Sequence, residues 1–262
     1  MEKLSIFKIS GKLLDKAEEL QSFLRGFAAL PGKKILVHGG GVHADQLATQ
    51  LGLPIEMHEG RRITSPAMRD LVTMVYGGLL NKQIVAQLQA LACDAIGLSG
   101  ADARVLVAQR RRPDPIDFGC VGDIREVRTD FLEDLLTREM VPVLAPISWE
   151  KSTGELLNSN ADGVACQVTQ AFSGRYETFL YYCFDKPGVL LDIDDQTSLL
   201  DQIDRVQYER LKREKKVQGG MLPKLDSCFQ AKTLGAHRVL LASPADSLQF
   251  ARGDAFQGTV IA

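Results

Sequence analysis

The chain has 262 residues, 45% of them apolar, and a formal net charge of −2. That is enough for one large α/β unit or two lobes sharing a sheet, with no basic stripe for nucleic acid and no like-charged tail. No apolar run approaches the ~20 residues that cross a bilayer, and Leu4-Ser5-Ile6-Phe7 follows the first residues with no signal-peptide pattern before it.

Short β-rich runs alternate with helical patterns, which predicts a mostly parallel sheet wrapped by helices. Leu4–Ile9 is the first strand. A helix over Asp15–Leu30 ends at Pro31-Gly32. The strand Lys34–Val37 runs into Gly39-Gly40-Gly41, and a helix over Val42–Leu51 follows. A loop through Arg61 and Arg62 leads to Pro66, which suits the first turn of a long helix reaching Leu91. Asp94–Leu98 and Val105–Ala108 are strands. The triplet Arg110, Arg111, Arg112 before Pro113 reads as a solvated loop. Phe118–Val127 is a hairpin punctuated by Gly119 and Gly122. Phe131–Glu139 is a helix, Pro142–Pro146 a buried strand and Asp162–Phe172 a helix.

A lobe boundary falls near Ser173-Gly174, where a new β-α alternation begins. Its strands are Phe179–Cys183, Val189–Leu191, Arg238–Leu241 and Thr259–Ile261. Its helices are Asp204–Lys215, Leu222–Leu234 after Gly219-Gly220, and Ala245–Ala251. The five cysteines are scattered, odd in number and free of C-x-x-C spacing, which fits reduced buried thiols in a cytoplasmic protein. The four histidines show no metal-ligand face.

Three places carry candidate chemistry. His38-Gly39-Gly40-Gly41 joins a buried strand to a helix, so several backbone N–H groups and a helix N-terminus can meet an anion. A tight strand-to-helix turn would need one glycine, not three. Gly39 to Ala44 also satisfies G-x-G-x-x-A, but no acidic residue clearly ends a second strand, and no G-x-x-x-x-G-K-[ST] loop occurs. Lys8 stands in an apolar strand, which is costly without an anion; the alternative is an edge-strand gatekeeper. Lys224 opens a helix, where its cation opposes the dipole. Asn158, Asn160 and Asp162 alternate before a helix, so an extended segment points them one way. Taken alone, they read as capping and turn chemistry.

In chain order, Lys8-Ile9-Ser10-Gly11, Val37-His38-Gly39-Gly40-Gly41, Gly60-Arg61-Arg62-Ile63-Thr64, Asn158-Ser159-Asn160-Ala161-Asp162 and Gly220-Met221-Leu222-Pro223-Lys224 resemble the acetylglutamate kinase family, within the amino-acid kinase fold. The resemblance covers nearly the whole chain. It implies a three-layer α/β sandwich with a central, mostly parallel sheet and two lobes. Residues 1–173 would bind the acyl-amino acid and dimerise, and residues 174–262 would bind nucleotide. The implied activity is ATP-dependent phosphorylation of the side-chain carboxylate of N-acetyl-L-glutamate, a step of arginine biosynthesis. Magnesium would arrive with the ATP, with no protein metal site.

The resemblance also assigns roles. Lys8 and Lys224 stabilise the transferring phosphoryl group, and Asp162 holds them. Gly11, Gly40 and Gly41 offer backbone N–H groups. Arg62 grips a substrate carboxylate, with Asn158 and Asn160 at the other end of the amino acid. Lys8, Gly11, Asp185 and Lys224 border the nucleotide. The expected assembly is a cytoplasmic homodimer insensitive to arginine, because arginine-inhibited members carry an extra N-terminal helix. A carboxylate nucleophile needs no general base, so the absence of a catalytic His or Cys fits. Ser10 stands where the family usually has the first of two glycines. Arg61 sets a second cation beside Arg62, which suits an acyl group with its own negative charge, such as succinyl. The other readings are a kinase for another N-acyl acidic amino acid, a nicotinamide-dependent oxidoreductase on the Gly39–Ala44 turn, and a non-catalytic amino-acid sensor.

Overall fold

The computed structural model describes residues 1–192, 195–214, 216–217 and 221–262, with the side chains of Gln196 and Pro223 also left aside. The sequence-predicted positions Lys215, Gly219 and Gly220 lie outside the described residues.

The strand Lys3–Ile9 is apolar on both sides and forms the middle of an eight-stranded sheet. From one edge the order is Gln202–Ile203, Thr259–Ile261, Arg238–Ala242, Glu177–Cys183, Lys3–Ile9, Lys33–His38, Val141–Leu144 and Ala95–Leu98. Every neighbouring pair is parallel except Arg238–Ala242 with Thr259–Ile261. Parallel strands need crossover helices, and these cover both faces, so the central strands read as apolar runs rather than alternating ones.

Strand periodicity sends Leu4, Ile6 and Lys8 to one face and Phe7 and Ile9 to the other. On the first face, Leu4 and Ile6 pack with Leu132, Val164, Phe172 and Leu225. These come from the helices Thr129–Thr137, Ala161–Phe172 and Met221–Thr233. On the second, Phe7 and Ile9 pack with Phe23, Phe27, Ile84 and Leu248. Their helices are Ala17–Ala28, Asn81–Ala90 and Pro244–Arg252. The expected three-layer sandwich with a mixed, mostly parallel sheet is therefore present. No helix among the described residues is long and apolar enough to cross a membrane.

Several local expectations change. The predicted Asp15–Leu30 helix runs over Ala17–Ala28, preceded by a short helical turn over Gly11–Leu14. The region of Arg61 and Arg62 is not a loop but an antiparallel hairpin, Glu56–His58 with Arg61–Ile63, turning at Glu59 and Gly60 with positive φ. The long helix from Pro66 passes through a wider π-helical stretch, Thr73–Leu80, which contains Gly77 and Gly78. Phe118–Val127 is not a hairpin of its own: Gly122–Val127 pairs with Leu106–Arg110. Ile147–Glu150 and Leu156–Asn158 complete that four-stranded sheet and are too short to show a period in sequence.

Phe7 is fully buried, stacked on Tyr181 at 4.2 Å between ring centres and edge-on to Phe27 at 5.4 Å. Phe7→Ala leaves a cavity between the sheet and its helices. It is expected to lower unfolding free energy by about 3–5 kcal/mol in urea titration.

Candidate active site

The parity that buries Leu4 and Ile6 aims Lys8 at the N-terminus of the Ala161–Phe172 helix. Asn160 caps that helix, its Oδ1 accepting from the N–H groups of Asp162 at 2.8 Å and Gly163 at 3.2 Å. The cap fixes Asp162 in the first turn, where the helix dipole favours an anion. Lys8 Nζ lies 2.7 Å from one Asp162 oxygen, and Lys224 Nζ lies 3.6 Å from the other. Tyr182, level with Lys8 on the neighbouring strand, donates its hydroxyl to the Asp162 carbonyl at 3.1 Å. Burial pushes the Asp162 carboxyl up, but the two lysines outweigh that and hold it below its usual value. Burial pulls the Lys8 ammonium below its usual value against the opposing pull of Asp162.

Two glycine loops meet beside this cluster. The Gly39 N–H donates to the Ile9 carbonyl at 3.0 Å. A Cβ at Gly39 would fall 2.9 Å from the Gly11 nitrogen. One at Gly11 would fall 3.1 Å and 3.2 Å from the nitrogens of Gly40 and Gly41. The loops therefore touch backbone to backbone, and side chains there would part them. Gly40 precedes the Gly41–Gln50 helix, and a Cβ on it would meet Tyr76 at 2.6 Å.

His38, wholly buried, holds the loop from behind. Its Nδ1 faces the Gly39 carbonyl at 2.8 Å, which can only accept, so Nδ1 carries the proton. Nε2 is then free to accept from Asn81 Nδ2 at 3.2 Å, and that nitrogen also donates to the Val143 carbonyl at 2.9 Å. Burial drives the imidazole pKa down to about 4. Nothing in sequence signalled this role for His38 or Asn81.

Lys8, Gly11, Gly40, Gly41, Asn160 and Asp162 line a cleft of about 250 Å³. Arg62 and Asn158 line the same cleft. Arg62 is buried, with Asp45 Oδ1 2.7 Å from Nη1, and its Nη2 donates to the Gly41 carbonyl at 3.4 Å. Asn158 Nδ2 donates to Thr64 Oγ1 at 3.0 Å, tying the end of its strand to the segment after the hairpin. Asn158, Asn160 and Asp162 all face the cleft, so the cap and the site coincide in Asn160. An adjoining cleft of about 460 Å³ contains Asp162 and Lys224. Asp185 lines neither cleft and pairs with Lys12 at 3.0 Å.

The arginine triplet is not simply solvated. Arg110 pairs with Glu155, and Arg111 with Asp123, while Arg112 is exposed. Arg111 reaches the main cleft, which an isolated charge run could not reveal. All five cysteines are free and buried. No group of three or more His, Cys, Asp or Glu side chains suited to a metal ion occurs among the described residues.

The sequence profile described as the Amino acid kinase family matches residues 3–243. The chain belongs to the amino acid kinase family. Within that family it is 44% identical over 246 residues to a protein named acetylglutamate kinase from Parabacteroides distasonis, covering 94% of this chain and 96% of the relative. It is also 44% identical over 249 residues to one so named from Cytophaga hutchinsonii, covering 95% and 94%. Among solved structures, the fold is similar to N-acetylglutamate synthase from Neisseria gonorrhoeae complexed with coenzyme A and N-acetyl-glutamate. The TM-score is 0.84 at 20% identity, over 99% of this chain and 59% of that one. This kinase-family chain thus carries the expected resemblance through its length.

Keeping His38 neutral in the folded state couples stability to pH. The folded pKa near 4 lies below the ordinary 6.5, so the unfolded chain binds the proton first. Stability is intact above pH 6.5 and falls as pH drops from there toward 4. Between pH 7.5 and 5 the native chain is expected to lose about 2 kcal/mol that His38→Gln does not lose. Urea midpoints of both proteins at the two pH values measure the difference.

Proposed function

We propose that this protein transfers the γ-phosphoryl group of ATP to the side-chain carboxylate of an N-acylated glutamate, with N-acetyl-L-glutamate as the substrate that its relatives' names support. The single observation carrying this reading is one buried carboxylate, Asp162, shared by two lysines from opposite ends of the chain at the mouth of a glycine-lined cleft.

A glutamate carboxylate is already a nucleophile at neutral pH. Its oxygen attacks the γ-phosphorus in line, the bond to the bridging β,γ-oxygen breaks, and ADP leaves with that electron pair. An acyl phosphate and ADP result. No proton needs to move, so the protein's task is positioning and charge neutralisation. Lys8 and Lys224 bracket the phosphoryl oxygens as charge passes from acceptor to leaving group. One carboxylate against two ammonium groups keeps them apart yet leaves a net positive seat. The N–H groups of Gly11, Gly40 and Gly41 add neutral donors. Arg62, pre-set by Asp45, takes the α-carboxylate, while Asn158 and Asn160 hold the rest of the amino-acid backbone. Magnesium, carried on the ATP phosphates as part of the substrate, supplies further charge neutralisation.

Residues 1–173 serve as the acyl-amino-acid and dimerisation lobe, and residues 174–262 as the nucleotide lobe, with Asp185 paired to Lys12. The working form is a cytoplasmic homodimer. Met74 and Leu79, 60% and 51% exposed on the long helical segment, support a subunit contact. Five free thiols fit a reducing compartment.

The direct assay supplies ATP, magnesium, N-acetyl-L-glutamate and hydroxylamine, which traps an acyl phosphate as a hydroxamate. Hydroxamate that depends on all substrates is expected; ADP release without it refutes the reaction. Lys8→Ala and Lys224→Ala are each expected to lower kcat about 10²–10³-fold or more with a smaller change in nucleotide KM. A near-normal kcat in Lys224→Ala removes that lysine from the mechanism. Arg62→Lys loses the two-pronged grip on a carboxylate that does not react. It is expected to raise KM for the acyl-glutamate about ten-fold while kcat falls less.

A further inference from the structure

One side chain of the core carries a polar group that packing does not need. Tyr76 is buried in an apolar cluster with Ala44, Met68, Val72 and Leu80, yet it also lines the main cleft. Its ring backs the glycine loop. A Cβ on Gly40 would fall 2.6 Å and 2.7 Å from two of its ring carbons, and 2.7 Å from a Leu80 methyl. Tyr76 and Leu80 stand four residues apart and share a face of the π-helical stretch Thr73–Leu80. Stretches of that kind are rare and occur frequently at functional sites. A phenylalanine would give the loop the same apolar support. The hydroxyl is surplus to that packing, and a buried hydroxyl costs free energy unless it meets a polar partner.

The groups that act on this hydroxyl belong to the arginine that faces the substrate. Burial raises the pKa of the Tyr76 phenol, against the pull of the Arg62 guanidinium and with the push of the Asp45 carboxylate. The phenol therefore keeps its proton. Every N–H of a guanidinium is a donor, so the phenol oxygen meets Arg62 as an acceptor. The other polar contacts of Arg62 hold it loosely. Asp45 lies 2.7 Å from Nη1 but its side chain is 43% exposed, where water screens the pair. The bond from Nη2 to the Gly41 carbonyl is long, at 3.4 Å.

We infer that Tyr76 is a positioning residue for substrate binding, its hydroxyl fixing the plane of the Arg62 guanidinium. This rests on the kinase reading given above, in which Arg62 takes the α-carboxylate of the acyl-glutamate. A guanidinium fork grips a carboxylate with two parallel bonds, so its plane must be set beforehand. A lysine ammonium is a point charge and has no plane to set.

That difference supplies the test. The hydroxamate assay measures kcat and the KM for N-acetyl-L-glutamate, at saturating ATP and magnesium, for the native protein, Tyr76→Phe, Arg62→Lys and the double variant. Tyr76→Phe is expected to raise KM about 3- to 10-fold, the scale of one hydrogen bond, with kcat within about two-fold of native and KM for ATP unchanged. In the Arg62→Lys background the same change is expected to add less than about two-fold, because the fork it orients is gone. Phenylalanine keeps the ring against Gly40, so the fold is not at risk. A merely structural role for the hydroxyl would lower the urea midpoint and leave KM alone. An unchanged KM, or a rise of equal size in both backgrounds, overturns the inference and leaves the kinase reading standing. A rise confined to the KM for ATP does the same. No hydroxamate from the native protein sinks the kinase reading, and the inference with it.

Discussion

One buried carboxylate shared by two ammonium groups organises this molecule. Asp162 cannot be desolvated without partners, and Lys8 cannot sit in an apolar strand without an anion. Each requirement answers the other, and Lys224 completes the set from a helix near the opposite end of the chain from Lys8. The pairing constrains much around it. The parity of the central strand must send Lys8 toward the Ala161–Phe172 helix. Asn160 must cap that helix so that Asp162 falls in its first turn. The eight-stranded sheet must bring the Met221–Thr233 helix to the same edge. Two cations against one anion then leave a seat that awaits a further negative group.

The glycine loops depend on a second, quieter constraint. Their backbones touch, so side chains there would part them, and the loop after Lys33–His38 is hemmed in by Tyr76 and Leu80. A neutral His38, fixed between the Gly39 carbonyl and Asn81, holds it from inside the core. Arg62 is likewise set in advance by Asp45 and the Gly41 carbonyl. Preorganised donors of this kind are worth most where a reaction moves charge rather than protons.

Much of this was legible in sequence, and for definite reasons. A lysine in an apolar strand and three successive glycines at a strand-to-helix turn each break a local rule, and such breaks point to candidate sites. The alternate polar residues before a helix read alone as capping, and only the family resemblance singled them out. The long elements followed from their periodicity. What stayed hidden depended on contacts distant in the chain. Asn81 looks like any helix residue until His38 is placed against it. Arg111 reads as one of three solvated charges until the sheet turns it into the cleft beside Phe118. The hairpin carrying Arg61 and Arg62 and the strands Ile147–Glu150 and Leu156–Asn158 are too short to show a period.

Direct transfer of phosphorus to a substrate carboxylate is the step on which the proposed function turns. The most direct measurement labels the side-chain carboxylate of the N-acyl-glutamate with oxygen-18, runs the reaction with ATP and magnesium, and cleaves the product with hydroxylamine. Hydroxylamine attacks the carbonyl carbon, so the oxygen that joined carbon to phosphorus leaves with the phosphate. Direct transfer yields inorganic phosphate carrying one oxygen-18, read by mass spectrometry. Phosphate without label means that water, not the carboxylate, took the phosphoryl group, and contradicts it.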